Sequence, residues 1–509
     1  MKKIIYIASF LITSVCMTGC EDFLTVESPD QLTSSTFWRN ESDAEAGLAS
    51  AYAQLEYSVD QWEFPEVKWP VEAFREDIVN LGADAFGYKD WVALRDFTYN
   101  NGNSQLSKYW RNNYRGISYS NQVIEMTAKI KEGNISLDKR TLIINEAHFL
   151  RAYYHMKLIL NWEQIVIRDE YITSQDKLSK PLSTREAAWD FIIEDLKKAT
   201  ALPAKRETNN IGRATSGAAN AYLGFAYLTR AYEIPEKKAE YLAEAIKAFD
   251  AVKGYELEKN FLSMFNATNK NCKESIFELQ FSMKEDGGAY YKISLPKWIA
   301  TAQLGGWDEI LPSESLVDEF KKEGEIATTG RLDTRAYESI FFRCDYFNDG
   351  NGHVYGFNYD EVFSDDEGKL IDRPAFRKFL PKTLEDLNNL TMAAINVPLM
   401  RYANVLLMKA EAHNELGHTE LAIPLINKVR EVHGDMPAMK GTTQAEVRAQ
   451  IEHERIIEFP LENFRFYDLR RWGKTQEALK KVGRDFNPSE NNFFPIPLTE
   501  INTNDQIKQ

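Results

Sequence analysis

Residues 451–473 read IEHERIIEFPLENFRFYDLRRWG, with carboxylates first, a proline in the middle, and arginines and aromatic side chains after it. The apolar residues before the proline fall near helical spacing, which predicts a helix. Pro460 has no backbone N–H to donate, so we expect this helix to end near Phe459.

Two carboxylates of this helix, Glu454 and Glu458, lie one turn apart on or beside the apolar stripe. A carboxylate there needs a partner, and arginines, which can bind a carboxylate through two N–H groups, follow directly. Two interpretations are open: an acid–base or anion site, or a buried Glu–Arg network that fixes how the last helices dock. The network is favoured, because structural ion pairs are common and catalysis also requires a cleft.

The composition of the chain limits its class. The 509 residues carry a net charge of −15, with hydrophobic and charged fractions of 44% and 27%, which are those of a globular protein. Such an acidic chain argues against a nucleic-acid partner, which needs a basic face. In the body of the chain, Cys272 and Cys344 leave one disulfide or two free thiols open, and two buried free thiols are favoured.

The first 19 residues are expected to be a signal peptide. Two lysines precede an apolar stretch, residues 4–15, that is too short to span a bilayer. Residues 17–20, Met-Thr-Gly-Cys, look like a bacterial lipoprotein cleavage site, so Cys20 is the expected lipidation residue. Ordinary signal-peptidase cleavage is the alternative, and it would leave a reactive thiol at the N-terminus. Acyl chains on Cys20 would anchor the chain to a membrane.

Helical periodicity recurs in pairs of segments. A Ser-Thr-Arg-Glu sequence at 183–186 is a capping box that opens one helix. The paired segments have a first helix rich in small residues and an amphipathic second helix, over about the length of a tetratricopeptide unit. The predicted fold is mainly α, a tetratricopeptide-like helical-hairpin solenoid. Its helical segments are 106–130, 141–162, 213–230, 236–254, 401–417 and 419–434.

Two stretches break this period. Residues 58–102 carry aromatic side chains among glycines and prolines, and residues 287–307 carry further tyrosines and tryptophans. Residues 275–281 alternate weakly, which predicts a strand. No linker separates residues 256–397 from the helical segments on either side. We therefore expect these residues to form a loop-rich excursion from the solenoid, with a few short strands, packed on it. Residues 20–509 should form a single domain made of an N-terminal helical part, 30–255, the excursion, 256–397, and C-terminal hairpins with a closing segment, 398–509.

Familiar catalytic and metal-binding patterns are incomplete. The His-Glu pair at 453–454 begins like a zinc-protease helix, but Ile457 stands where the second histidine is required. His148 and His155 can share a helix face but have no third ligand at hand, so core or half-exposed histidines are expected. Residues 345–350 lack the oxygen ligands of an EF-hand. We predict no catalytic residue, no metal ligand and no cofactor, and a structural calcium ion is left open.

The aromatic stretches favour stacking chemistry. The C–H face of a sugar ring packs on indole and phenol rings, and its hydroxyls bond to amide, carboxylate and guanidinium groups. For each aromatic residue the alternative is packing of a loop onto the helices, since large aromatic side chains are mostly buried. The candidate ligand-binding residues are Arg75, Asp77, Tyr88, Trp91, Tyr290, Tyr291, Trp298 and Trp307.

Several segments resemble the signatures of the SusD/RagB family, surface lipoproteins of Bacteroidetes that bind glycans beside a TonB-dependent transporter. They are the 451–473 stretch, the N-terminal pattern at 22–55, EAHFLRAYYHMKL (146–158), RATSGAANAYLGFAYL (213–228), RYANVLLMKAEAHNELG (401–417) and FFPIP (493–497). Glu21 and Asp22, which follow Cys20, resemble a surface-export signal of this family.

The resemblance implies a SusD-like fold and a non-catalytic protein that is lipid-anchored at the cell surface in the outer membrane. Its implied partners are an oligosaccharide and a SusC-like TonB-dependent transporter, with loops of the two aromatic stretches building the glycan platform. Capture of peptides instead of glycans is the main alternative. A surface glycoside hydrolase is the other, although no pair of carboxylates stands out for that reaction.

Overall fold

The computed structural model describes residues 37–55, 69–283, 292–350, 352–365, 367–389 and 392–507. These residues form a mainly helical fold with a few short strands, as predicted. Within them, no helix combines the length and the apolar character that a membrane-spanning segment needs. The predicted signal peptide, Cys20, Tyr290 and Tyr291 lie outside the described residues.

The helices of the N-terminal part are α1 (Glu41–Ala53), α2 (Lys89–Arg95), α3 (Ser104–Lys129), α4 (Leu137–Ile159), α5 (Arg185–Ala199), α6 (Ser216–Glu233) and α7 (Lys238–Asp250). The excursion contains α8 (Leu295–Ile299), α9 (Glu314–Lys321), α10 (Thr334–Ser339), α11 (Tyr359–Val362) and α12 (Leu384–Asn389). The C-terminal part contains α13 (Tyr402–Glu415), α14 (Thr419–Gly434), α15 (Gln444–Glu458), α16 (Arg465–Trp472), α17 (Thr475–Lys481), α18 (Pro488–Asn491) and α19 (Leu498–Thr503).

The long helices pack against one another in chain order, α3 on α4, α4 on α5, α5 on α6 and α6 on α7. This stack of helices continues with α13, which packs against α7 and also against α14 and α15. The small side chains of α6 allow close packing, since a Cβ added at Gly224 would lie 2.3 Å from the Phe249 ring. The predicted stacking of helical hairpins is therefore confirmed.

The start of α5 differs by one residue from the predicted capping box. Thr184, not Ser183, is the N-cap, and its side chain accepts a hydrogen bond from the Ala187 N–H (3.2 Å). Ser183 instead forms an isolated β-bridge with Ile165. This bridge holds Ser183 in extended backbone, so the helix begins after the next residue.

The strands form three antiparallel pairs among the described residues: β1 (Val79–Leu81) with β3 (Ile310–Pro312), β2 (Ser275–Leu279) with β6 (Val397–Arg401), and β4 (Ile340–Phe341) with β5 (Ala375–Phe376). The predicted strand at 275–281 is confirmed as β2. Its pairing with β6 brings the beginning and the end of the excursion together, so the excursion leaves and rejoins the solenoid at one place.

The helix of the 451–473 stretch is α15, which ends at Glu458 just before the proline break. Glu454 and Glu458 are fully buried. Arg335 donates to both carboxylates, at 2.7 Å to Glu454 and 3.0 Å to Glu458. Arg401 donates to Glu458 at 2.8 Å, and Arg430 also bonds to Glu454. The interpretation as a buried Glu–Arg network is confirmed.

The sequence suggested the arginines that follow Pro460 as partners of these carboxylates, but the structure gives those arginines other partners. Arg465 forms two hydrogen bonds of 2.8 Å to Asp77, and Arg471 bonds to Glu411 at 2.7 and 2.9 Å. The turn after α15 points Arg465 towards the segment before β1 and Arg471 towards α13. The helix face that carries Glu454 and Glu458 points instead towards α10 and α14.

The closing segment returns to the first long helices. The Phe494 N–H donates to the Asn161 carbonyl (2.9 Å), and the Trp162 indole donates to the Pro495 carbonyl (2.9 Å). Farther along, the Trp110 indole donates to Glu500 (3.1 Å). Residues 493–500 therefore complete the packing of α3 and α4.

The cysteines of the body, Cys272 and Cys344, are free thiols, but each is half-buried rather than fully buried. His155 is fully buried and His148 nearly so, which confirms core histidines. His148 lies 2.8 Å from Asp195 through Nδ1. Burial, the largest influence on His155, lowers its pKa to about 4.

Candidate functional site

The β1–β3 pair joins the two aromatic stretches. Leu81 pairs with Ile310, and the next residue, Gly82, donates its N–H to the Glu309 carbonyl (3.0 Å). A Cβ added at Gly82 would lie 1.7 Å from the carbonyl oxygen of Asp308, so the two backbones touch here. The side chains just after β1 and just before β3 are consequently neighbours.

Four of the predicted ligand-binding residues form one continuous contact, which we call the aromatic run: Tyr88, Trp91, Trp298 and Trp307. Tyr88 stacks on Trp91 with ring centroids 4.3 Å apart and planes at 28°. Trp91 contacts Trp298 at 4.9 Å, and Trp298 meets Trp307 edge-on at 6.0 Å. Such offset and edge-to-face geometries are the favoured ones for aromatic pairs.

Exposure differs sharply along the aromatic run. Tyr88 is 46% exposed, whereas Trp91 and Trp298 are 2% and 3% exposed. Trp307 is half-buried. The two central indoles are therefore a floor, and the accessible ring surface lies at the two ends. Most of the surface of Trp91 and Trp298 is therefore packed against other side chains, which was the alternative to ligand binding that the sequence left open.

Helix α2 and a turn after α8 position the rings of this run. Trp91 lies on α2, which begins directly after Tyr88. The Trp298 indole on α8 donates to Ser294 Oγ (3.0 Å). The Trp307 N–H donates to the Lys297 carbonyl (2.7 Å), because the chain turns back on α8 through Gly305, whose φ is +75°. The two tryptophans are thus held by one compact turn.

Polar side chains beside Trp307 were missed by the sequence reasoning. Arg373 donates from Nη1 to Asp308 (2.9 Å) and from Nη2 to Gln303 (2.9 Å), and both Arg373 and Gln303 are half-buried. Phe86, two residues before Tyr88, is 55% exposed. Gln303 and Phe86 lie within stretches that were recognised as aromatic loops, but no sequence signal links Arg373 to them.

The two polar candidates, Arg75 and Asp77, have other surroundings. Arg75 is fully buried, with its guanidinium 3.9 Å from the ring centre of Phe466 and 4.0 Å from that of Phe494. It also donates to Asn161, and burial lowers its pKa. Asp77 accepts both hydrogen bonds of Arg465. In this structure both side chains hold the segment before β1 against the C-terminal part.

Among the residues that the structure describes, two groups of side chains have the spacing of metal ligands: Glu274, His433 and Glu458, and Glu323, His453 and Glu454. Arg335 and Arg401 bond to Glu458, and Arg430 bonds to both Glu323 and Glu454. These cations already neutralise the carboxylates, so a divalent ion would add charge to a compensated site. Both groups are explained as ion-pair networks.

Comparison with known proteins identifies the family of the chain. A model of the SusD family matches residues 273–509, and one described as "Starch-binding associating with outer membrane" matches residues 22–228. SusD-like protein P2 of Formosa agariphila is 25% identical over 100% of this chain and 99% of its own.

Solved structures are similar over almost the whole chain. A SusD superfamily protein from Bacteroides vulgatus is 28% identical, with a TM-score of 0.78 over 93% of this chain and 99% of that one. A laminarin-binding SusD-like protein has a TM-score of 0.72 at 23% identity, over 92% of this chain and 99% of that one. With both halves matched by family models and the same helical architecture present, the chain belongs to the SusD/RagB family, whose members are associated with the outer membrane.

Proposed function

We propose that this protein is a non-catalytic surface lipoprotein that captures oligosaccharides on the aromatic run and passes them to a SusC-like TonB-dependent transporter in the outer membrane. The observation that carries the proposal is the arrangement of Tyr88 and Trp307 at the two ends of a buried indole floor. A similar fold is found in a laminarin-binding SusD-like protein, which supports a saccharide as the ligand.

A fixed set of rings suits this task. Oligosaccharides present successive C–H faces, and rings held in place lose little freedom when they stack on them. Arg373 bonds to Asp308, the residue after Trp307, and to Gln303, so polar partners for hydroxyl groups are available at this end of the aromatic run. Nothing in this chemistry requires a bond to be broken, so the bound glycan leaves unchanged.

The binding test uses the chain from residue 21 onward, which retains every described element, and a panel of oligosaccharides measured by calorimetry. Tyr88→Ala and Trp307→Ala should each weaken binding by about tenfold or more, the range of a lost aromatic stacking contact. Leu421→Ala is the control, because Leu421 is also exposed, at 48%, but lies on α14. Unchanged affinity in both aromatic variants would show that the aromatic run is not the binding site. Release of reducing ends from the oligosaccharide would contradict a non-catalytic role.

The anchoring and partner steps are tested separately in cells. Cys20→Ala should release the protein from the outer membrane, whereas Cys272→Ala, which changes a half-buried thiol of the body, should leave it there. The anchored protein should co-purify with a TonB-dependent transporter after mild detergent extraction. A Cys20→Ala protein that stays anchored would contradict lipidation at that residue.

A further inference from the structure

A cleft of about 440 Å³ opens in the excursion, and no residue of the aromatic run lines it. Its lining combines apolar side chains with polar ones, and the polar ones include Asn260, Asn266, Glu338, Tyr355, Arg377 and Lys382. These residues come from four separate segments, 260–268, 338–341, 353–356 and 377–382, so the cleft exists only in the folded excursion.

Strand β5 relates the cleft to the aromatic run. Arg373, just before β5, holds Asp308 next to Trp307, whereas Arg377 directly follows β5. Four residues of extended chain span about 13 Å. The cleft and the aromatic run are therefore reached from opposite ends of one short strand and share no lining residue.

Arg377 has unused bonding capacity. The side chain is half-buried, and its guanidinium carbon lies 5.3 Å from the ring centre of Phe341. Within the described part of the chain it donates one hydrogen bond, from Nη1 to the Tyr337 carbonyl (2.8 Å). A guanidinium carries five N–H groups in a planar fork. Burial lowers the pKa of Arg377, as expected where a cation is incompletely compensated.

Glu338, the acidic residue in the lining of the cleft, is already hydrogen-bonded to the backbone. One of its oxygens accepts the Leu262 N–H (2.9 Å), which holds the 260–268 segment in place. Burial raises its pKa, and Arg377 opposes that shift only in part. At the rim, Lys382 and His353 are both exposed. In a chain of net charge −15, a cleft with an arginine, a lysine and a histidine against one acid is a local exception.

We propose that this cleft is a second saccharide-binding site, which holds the anionic group of an acidic sugar, a uronate carboxylate or a sulfate ester, on the guanidinium of Arg377. Both anions match the arginine fork, which can donate two parallel N–H bonds to two oxygens. Lys382 contributes attraction from the rim, and Asn260 and Asn266 offer amides to the ring hydroxyls. The proposal depends on the proposed function only for the ligand class, because the aromatic run does not line the cleft.

The test compares charged and neutral forms of the same sugars. Oligogalacturonate and its carboxyl-reduced form probe the carboxylate, and κ-carrageenan oligosaccharide and its desulfated form probe the sulfate. With the chain from residue 21 onward, at least one acidic probe should bind more tightly than its neutral form. Arg377→Gln should then weaken the acidic probe by about tenfold to a hundredfold, the range of a lost charge-assisted bond, and leave the neutral form unchanged.

Two further variants keep the test decisive. Lys382→Gln removes an exposed rim charge without a folding risk and should weaken the acidic probe severalfold. Lys247→Gln, at a position 78% exposed on α7, removes an equal charge elsewhere and should have no effect. Equal losses in Lys382→Gln and Lys247→Gln would mean that overall charge alone matters and would overturn the proposal. So would the failure of every acidic probe to bind better than its neutral form.

The outcomes also separate this site from the aromatic run. Suppose that neutral probes bind as well as acidic ones and that Tyr88→Ala abolishes this binding. That result would overturn the proposal for the cleft and support the aromatic run as the binding site. Binding of an acidic probe that is lost in Arg377→Gln but kept in Tyr88→Ala and Trp307→Ala would support the cleft as a binding site. The same result would show that the aromatic run is not the capture site.

Discussion

The ring centroids of Trp91 and Trp298 lie 4.9 Å apart, although one belongs to α2 and the other to α8 in the excursion. Each indole is almost fully buried by the other and by their neighbours Phe74, Tyr88 and Trp307. The pair therefore acts as a fixed support for the exposed ring of Tyr88 at one end and the half-buried ring of Trp307 at the other.

Trp91→Ala should lower the free energy of unfolding by about 3–5 kcal/mol, the usual cost of truncating a buried aromatic side chain. The cavity would open in the support of the aromatic run, so saccharide affinity should fall as well. Chemical denaturation measures the first effect and calorimetry the second. Phe86→Ala, at a position 55% exposed, should change stability by less than about 0.5 kcal/mol. An equally small effect of Trp91→Ala would show that Trp91 is not a support.

Gly82→Ala should disrupt the junction of the two aromatic stretches. The new methyl group would lie 1.7 Å from the Asp308 carbonyl oxygen, so β1 and β3 would have to separate. We expect a loss of stability together with a change in tryptophan fluorescence, since Trp91 and Trp298 would move apart. Gly87→Ala is the matched control on the same segment, because nothing lies within 4 Å of its Cβ. If both variants behave alike, the close approach at Gly82 is not what joins the stretches.

Glu458→Gln should destabilise the fold by about 3–5 kcal/mol, because it removes the shared partner of buried cations. Arg335, Arg401 and His433 all bond to this carboxylate. Denaturant unfolding of the variant measures the loss. Glu477→Gln, whose side chain is 67% exposed and pairs with Lys481, should change stability by less than about 1 kcal/mol. A loss for Glu458→Gln as small as that of the control would contradict a structural role of the network.

Stability should fall as the pH rises from about 6.5 to 8, because of His433. Burial disfavours its charged form, but Glu458 and Glu274 outweigh burial and raise its pKa to about 9. The folded state then holds a proton that the unfolded chain has lost, and the slope reaches at most about 1.4 kcal/mol per pH unit. Above about pH 8, Lys378 acts in the opposite sense, since burial lowers its pKa to about 8.

Unfolding midpoints measured across this pH window test the assignment. His433→Gln should flatten the slope, whereas His418→Gln, whose side chain is 55% exposed, should leave it unchanged. A slope that persists in His433→Gln would assign the effect to other groups. On the acid side, burial lowers the pKa of His155 to about 4, so stability should also fall as the pH drops from about 6.5 towards that value.

The helical part of the fold was predictable because helical periodicity is local. The segments around α3, α4, α6, α7, α13 and α14 were recognised from spacing and small residues, with ends within a few residues of those observed. The break at Pro460 was equally clear, since a missing N–H ends a helix whatever surrounds it. The partners of Glu454 and Glu458 were not predictable, because Arg335 and Arg401 approach them only through the tertiary fold.

The candidate site was predictable in composition but not in assembly. That Tyr88, Trp91, Trp298 and Trp307 contact one another depends on β1 and β3, strands of three residues that are too short to leave a periodic signal. Arg75 and Asp77 were chosen as polar residues among aromatics, and their burial against the C-terminal part has no local signature. Whether the aromatic run binds a glycan stays a prediction, as do the roles of Tyr290, Tyr291 and Cys20.

The return of residues 493–500 to α3 and α4 has a consequence for the order in which the molecule can form. The ribosome makes α3 and α4 long before the segment that supplies Phe494 and Glu500, so this hairpin stays incompletely packed through most of synthesis. A nascent chain with an unfinished core remains loosely folded. If Cys20 is lipidated as proposed, the chain crosses a membrane before it folds, and the late synthesis of Phe494 and Glu500 favours that order.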